Sequence, residues 1–113
     1  MPYIDMKTNV KLSDDQFESL KTSFGKDIES IPGKTESRLM VEILDGQKMW
    51  FKGSDEACAM IDVAAFGALS SAACNKMTAC VTETVASKTG ISPDRIYVKY
   101  SGFDNWGCNG SNF

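Results

Sequence analysis

The spacing of apolar and polar positions changes several times along the chain, and each change marks an element. Residues 3–10 alternate loosely and predict a strand. Ser13-Asp14-Asp15-Gln16 then has the pattern of a capping box with acidic residues in the first helical turn. Phe17, Leu20, Phe24 and Ile28 follow at spacings of three, four and four, one face of an amphipathic helix. Ile31-Pro32-Gly33 stops that helix. Residues 38–44 (RLMVEIL) predict a strand, and Asp45-Gly46 ahead of residues 47–51 (QKMWF) predicts a hairpin. Beyond a loop at residues 53–56, residues 57–64 (ACAMIDVA) predict a nearly continuous buried strand. A second helix starts at Ser70 or Ser71 and runs to Lys88, with Met77, Val81 and Val85 on one face and Gly90 at its end. Residues 96–100 (IYVKY) predict another strand, and residues 105–113 (NWGCNGSNF) a turn-rich tail with aromatic anchors.

The two halves superpose with one shift of 57 residues and no gap. Ile4-Asp5 falls on Ile61-Asp62, Leu12-Ser13 on Leu69-Ser70, Gly33 on Gly90, Arg38 on Arg95 and Val41 on Val98. The helix faces also correspond: Leu20 with Met77, Phe24 with Val81, Ile28 with Val85. This predicts a duplicated β-α-β unit, with pseudo-repeats at about 2–50 and 57–103 inside one domain, 1–113. Such a chain is an α+β fold: a four-stranded mixed sheet whose two helices lie on one face, with parallel strands inside each unit. Leu39, Val41, Ile43, Met60, Ile61 and Val63 are too many apolar side chains for two helices to cover. The other face therefore calls for a second layer or for other subunits.

Length and charge narrow the function. With 113 residues the chain holds one thin core, for which oligomerisation is a common support. A net charge of −3 argues against nucleic acid as the main partner, although Lys34, Arg38, Arg95 and Lys99 could cluster locally. No apolar run is long enough for a membrane span, and the start lacks a signal-peptide pattern. The expectation is a cytoplasmic protein, secreted only by an unconventional route. Four cysteines without a C-x-x-C pair, and no histidine, give no zinc pattern, so no metal or cofactor is expected. The bland reading of the cysteines is buried free thiols.

Met1-Pro2 at the start, Gly33-Lys34, Phe51-x-Gly53-Ser54, the block Ile91-Ser92-Pro93-Asp94-Arg95-Ile96-Tyr97, and Trp106-Gly107-x-Asn109-Gly110-Ser111-x-Phe113 at the end carry a further signal. Together they resemble the macrophage migration inhibitory factor (MIF) family, in particular its microbial and parasite members, over the whole chain. The resemblance implies a homotrimer whose sheets form a central barrel, with active sites between subunits. It implies keto–enol tautomerase (isomerase) activity on small aromatic 2-oxo acids of the phenylpyruvate type and on dopachrome-type substrates. It also implies a competing role as a cytokine-like signalling ligand with vestigial catalysis. The partner would then be a host receptor such as the invariant chain of MHC class II.

In that frame Met1 is removed and Pro2 becomes a terminal secondary amine. It is the one group here, absent histidine, whose unperturbed pKa is near neutrality. Apolar walls and a nearby cation disfavour its charged form, which suits a general base at a carbon beside a carbonyl. The resemblance gives Lys34 the substrate carboxylate and gives Phe66 a backbone N–H toward substrate. It gives Tyr97 a hydroxyl offered from the neighbouring subunit, and makes Trp106 and Phe113 aromatic walls. Lys99 stands where vertebrate members carry Asn and either adds positive charge to the pocket or points to solvent. Arg38 replaces a rim tyrosine, and Cys108 a tryptophan. Cys58 is followed by Ala59, Met60 and Ile61, so dithiol redox chemistry is not expected.

Overall fold

The computed structural model describes every residue from Met1 to Phe113. Strand β1 (Pro2–Thr8) leads to helix α1 (Asp14–Asp27), which tightens into a 3-10 turn at Ile28–Ser30. The capping box forms: the Gln16 N–H donates to the Ser13 hydroxyl and the Ser13 N–H to the Gln16 side chain. Strands β2 (Met40–Leu44) and β3 (Ala59–Phe66) follow, then α2 (Ser71–Thr89), capped by Ser70 and ended by Gly90, and β4 (Ile96–Phe103). Two short strands, β5 (Gly107–Cys108) and β6 (Ser111–Asn112), form a terminal hairpin. The main sheet has the order β2-β1-β3-β4. Its outer pairs are parallel and its central pair antiparallel. Each parallel pair is bridged by a helix, as parallel connections require, so the predicted α+β fold of two β-α-β units is the fold observed.

The core lies between the sheet and both helices. Ile4 and Met6 of β1, Ile61 and Val63 of β3, Leu20 and Phe24 of α1, and Met77, Val81 and Val85 of α2 are fully buried. Both central strands alternate buried and partly exposed positions along their whole length. Val41 and Ile43 also pack on this core. The sequence-based picture of an apolar second face therefore needs correction. Of the six side chains counted there, Met60 alone alternates onto the open face. The register instead lays Glu42, Asp5, Asp62 and Lys99 in one row straight across that face. Lys7 pairs with Asp5 at 2.6 Å and Lys99 with Asp62 at 3.3 Å.

A second correction concerns the hairpin expected at Asp45-Gly46, which does not form. The Gly46 and Gln47 N–H groups donate to Val10 and Thr8 carbonyls, and the Asp45 carboxylate takes the Leu12 N–H. These bonds carry the chain across the end of β1 instead of back along β2. The tight turn comes later, at Lys52-Gly53, where Phe51 and Ser54 exchange backbone hydrogen bonds of 2.9 and 3.1 Å. Both central residues have positive φ, 53° and 75°. The same turn recurs at Asn109-Gly110, with φ of 52° and 88°, between paired Cys108 and Ser111. These are primed hairpin turns, which need a residue tolerant of positive φ at both positions.

The two turns lie one repeat apart, so the internal symmetry reaches into the tail. Its axis is marked at two other places. Asp5 pairs with its counterpart Asp62 in the sheet. Between the helices the Thr84 hydroxyl donates to its counterpart Asp27, 57 residues away, at 2.6 Å.

Two stability predictions follow from this packing. A Cβ on Gly102 would press into the Gly67 backbone carbonyl, whose own N–H donates to Phe103 at 2.8 Å. Gly102→Ala is expected to lower unfolding free energy by about 1–3 kcal/mol in urea titration; an unchanged midpoint would show that this junction yields. At the helix crossing, burial raises the Asp27 carboxyl above its usual range, against the opposing Thr84 bond. A raised carboxyl pKa stabilises the fold while protonated, and that contribution is lost as pH rises through the folded value. Asp27→Asn keeps an acceptor for Thr84 without the charge. It is expected to raise the melting temperature at neutral pH and to flatten its fall with rising pH. A lower neutral melting temperature would mean that the charge itself stabilises.

Candidate active site

The N-terminus sits at the end of a central strand, not on a free arm. Pro2 is buried and pairs with Ala65 of β3. As the first strand residue it lacks only an N–H that the ladder does not use. The Met1 carbonyl accepts the Phe66 N–H at 3.0 Å. On the other side of the same residue, the Lys34 ammonium donates to the Phe66 carbonyl at 2.8 Å. Lys34 is brought there by the turn after α1, where its N–H bonds the Ile31 carbonyl at 3.1 Å. Both backbone polar groups of Phe66 are thus committed to the N-terminal site.

This setting disfavours a positive charge on the amine of Met1, the terminus of the unprocessed chain. Burial lowers its pKa first; the Lys34 ammonium lowers it further through charge and hydrogen bonding, and Arg38 adds to the effect. Arg38 closes a 3-10 turn at Glu36–Arg38 and reaches the Met1 sulfur at 3.6 Å.

A cavity of about 510 Å³ opens beside Pro2, lined also by Met1, Tyr3, Arg38, Met40, Trp106, Cys108 and Phe113. Clefts of this size take small organic ligands. The terminal hairpin shapes the aromatic side. Phe113 donates its N–H to the Trp106 carbonyl at 3.0 Å. The Phe113 ring lies 6.0 Å from that of Phe66, and Trp106 lies 6.0 Å from Phe103.

Pro2, Lys34, Phe66, Trp106 and Phe113 therefore converge in one chain. Tyr97 and Lys99 do not join them. Tyr97 pairs with Met60 and Pro2 with Ala65, at opposite ends of β3, a separation of roughly 17 Å along the strand. Tyr97 packs on Phe51 at 4.4 Å beside a second cavity of about 480 Å³ that includes Met49, Trp50 and Met60. Lys99 is held by Asp62 on the open face. Arg95 and Lys34 serve different places too: Arg95 donates to the carbonyls of Ala57, Ser54 and Glu56 and braces the loop before β3. Tyr3 and Met40 line the Pro2 cavity, although neither stands out in the sequence. Their pairing across β1 and β2 is the signal that joins them.

Comparisons with known proteins place the chain in a family. The family model described as macrophage migration inhibitory factor (MIF) matches residues 1–113. The chain is similar to the macrophage migration inhibitory factor of Meriones unguiculatus, at 30% identity over 100% of this chain and 99% of that protein. It is similar to a D-dopachrome decarboxylase of Gallus gallus, at 26% identity over 94% of this chain and 90% of that one. Among solved structures, MIF2 of Leishmania major superposes with a TM-score of 0.93 at 28% identity, covering 100% of this chain and 97% of that chain.

The hydrogen bond from Phe66 to Met1 makes a direct prediction. Loss of Met1 removes the acceptor and leaves the Phe66 N–H facing the cavity. Amide hydrogen exchange at Phe66 is expected to be at least about tenfold faster in protein lacking Met1 than in protein retaining it, a loss of protection appropriate to one net hydrogen bond. Equal protection would show that another acceptor already holds this group.

Proposed function

The chain belongs to the macrophage migration inhibitory factor family, and from that premise we propose that it is a keto–enol tautomerase whose general base is the amine of Pro2, exposed when Met1 is removed. The observation that carries this reading is the position of Pro2: buried, lining a small-molecule cavity, and next to a Met1 amine whose pKa burial, Lys34 and Arg38 already lower. A neutral secondary amine accepts a proton near physiological pH, as proton abstraction beside a carbonyl requires.

In this reading the substrate is a small aromatic 2-oxo acid of the phenylpyruvate type. The name of the Gallus gallus relative supports dopachrome-type substrates as well. The substrate carboxylate lies toward the Lys34 ammonium and the Phe66 N–H that Met1 vacates. The Pro2 nitrogen takes a proton from the carbon next to the carbonyl, and electrons of that C–H bond move toward the carbonyl oxygen. Lys34 stabilises the charge developing there. Return of the proton from the Pro2 ammonium to oxygen completes the enol and restores the neutral amine. Trp106 and Phe113 flank the ring of the substrate.

Tyr97 acts from a neighbouring copy, since within one chain it is at the far end of β3. The proposed assembly is a homotrimer, which also covers the exposed Met40, Trp50, Tyr97 and Phe103 side chains. Lys99, two positions from Tyr97 on the same face of β4, adds positive charge to that wall in competition with its partner Asp62.

Phenylpyruvate tautomerisation followed by ultraviolet absorbance tests the proposal, with Met1 removal confirmed by mass spectrometry. Pro2→Gly is expected to lose about a hundredfold or more in kcat/KM. In the wild type kcat/KM should fall as pH drops through the amine pKa, because protonation removes the base. The midpoint should lie below the value of about 7.7–8.0 of an ordinary α-amino group. Full activity in Pro2→Gly would overturn the role of Pro2, and no activity in the processed trimer would overturn the enzyme.

A further inference from the structure

We propose that Arg38 forms a second anion-binding subsite at the mouth of the Pro2 cavity, and that this chain favours 2-oxo acids bearing a second carboxylate over those with one. The inference rests on the tautomerase reading for its substrate class, but its geometry stands apart from it.

Arg38 lines the cavity, is exposed, and forms none of the ion pairs in the molecule. Its side-chain hydrogen bond goes to the Met1 sulfur at 3.6 Å. A thioether is a weak acceptor for a guanidinium with five donors. The carboxylates nearest in sequence are turned elsewhere. Glu36 packs over Gly25, where the missing Cβ leaves it room, and Glu42 accepts the Tyr3 hydroxyl at 3.2 Å. Lys34 is likewise outside every ion pair and donates to a carbonyl. A chain of net charge −3 thus lines this cavity with Arg38 and no acidic side chain, and sets Lys34 on the Phe66 carbonyl next to the N-terminus.

Removal of Met1 takes away the sulfur and leaves the guanidinium with no side-chain partner at the place an acceptor had occupied. A guanidinium there prefers a planar, bidentate acceptor, which a carboxylate supplies. One substrate carboxylate at Lys34 leaves Arg38 for another at the outer end, with the apolar middle of the ligand against Trp106 and Phe113.

The test compares phenylpyruvate with 4-carboxyphenylpyruvate in processed wild type, Arg38→Gln and Arg38→Lys. The kcat/KM ratio of the dianion to the monoanion is expected to exceed one in the wild type. It should fall about five- to tenfold in Arg38→Gln, as for loss of one charge-assisted contact at an exposed site, and recover in part in Arg38→Lys. High salt should shrink the wild-type ratio. A ratio that stays constant in Arg38→Gln while both rates fall together would mean that Arg38 acts only on the amine or on the fold, and overturns the proposal. A calorimetric arm uses the unreactive 3-(4-carboxyphenyl)propionate and 3-phenylpropionate. Preference for the dianion, lost in Arg38→Gln, supports the subsite even if no turnover occurs and the tautomerase reading fails. Equal binding of the two acids by the wild type sinks the subsite even if turnover is normal.

Discussion

The antiparallel pairing of β1 with β3 is the constraint on which the rest of the molecule depends. It brings the two β-α-β units together, with Asp5 opposite Asp62 near the internal axis. It also fixes the first residues of the chain at the centre of a sheet. A terminus is ordinarily the most mobile part of a domain. Here Pro2 is locked against Ala65, and Met1 and Lys34 close on the two backbone polar groups of Phe66. The sheet register therefore sets the position of an amine to within the precision of a strand. In the unprocessed chain the same surroundings, burial first and then Lys34 and Arg38, lower the pKa of the Met1 amine that precedes Pro2.

Charge is distributed to match. The carboxylates that make the chain acidic include the row Glu42, Asp5 and Asp62 on the open face, balanced there by Lys7 and Lys99. At the ends of β1 and β3, by contrast, Arg38 lines the site cavity and Lys34 holds the adjacent Phe66 carbonyl, neither with a carboxylate partner. Focusing of a positive potential in a cleft raises the local concentration of anionic ligands even when the net charge of the protein is negative. The aromatic tail works with this field. The Asn109-Gly110 turn folds Phe113 back onto Trp106, so the same hairpin that closes the fold supplies the apolar wall.

Much of this was legible in the sequence because it rests on local rules. The Ser13–Gln16 box, the Leu20–Phe24–Ile28 face and the Gly90 stop each declare themselves in a few residues, and the repeat aligns them. The Asp45-Gly46 hairpin was misread because the dipeptide is permissive and not directive. The Gly46 N–H bonds Val10, just after β1, and the Gln47 N–H bonds Thr8, the last residue of β1, partners that no local pattern encodes. The repeat in the tail went unread for a related reason: Lys52-Gly53 and Asn109-Gly110 share a conformation but only the glycine. At the site, the resemblance pointed to Pro2, Lys34, Phe66, Trp106 and Phe113, and the fold brings these five together. Tyr97 and Lys99 lie elsewhere in the same chain, towards the other end of β3, and the role proposed for Tyr97 is from a neighbouring copy. Arg38 stood out only as a departure at the rim. Its lack of an acidic partner depends on where Glu36 and Glu42 point, which is a matter of packing.

The central claim is that the sheet holds a neutral amine at the cavity floor. Its most direct test is a nuclear magnetic resonance titration of Pro2, isotopically labelled, in protein lacking Met1. The account predicts a Pro2 amine that titrates below the ordinary α-amino range of about 7.7–8.0 and moves upward when Lys34 is replaced by Met. A Pro2 amine that titrates within or above that range, and is indifferent to Lys34, would contradict it.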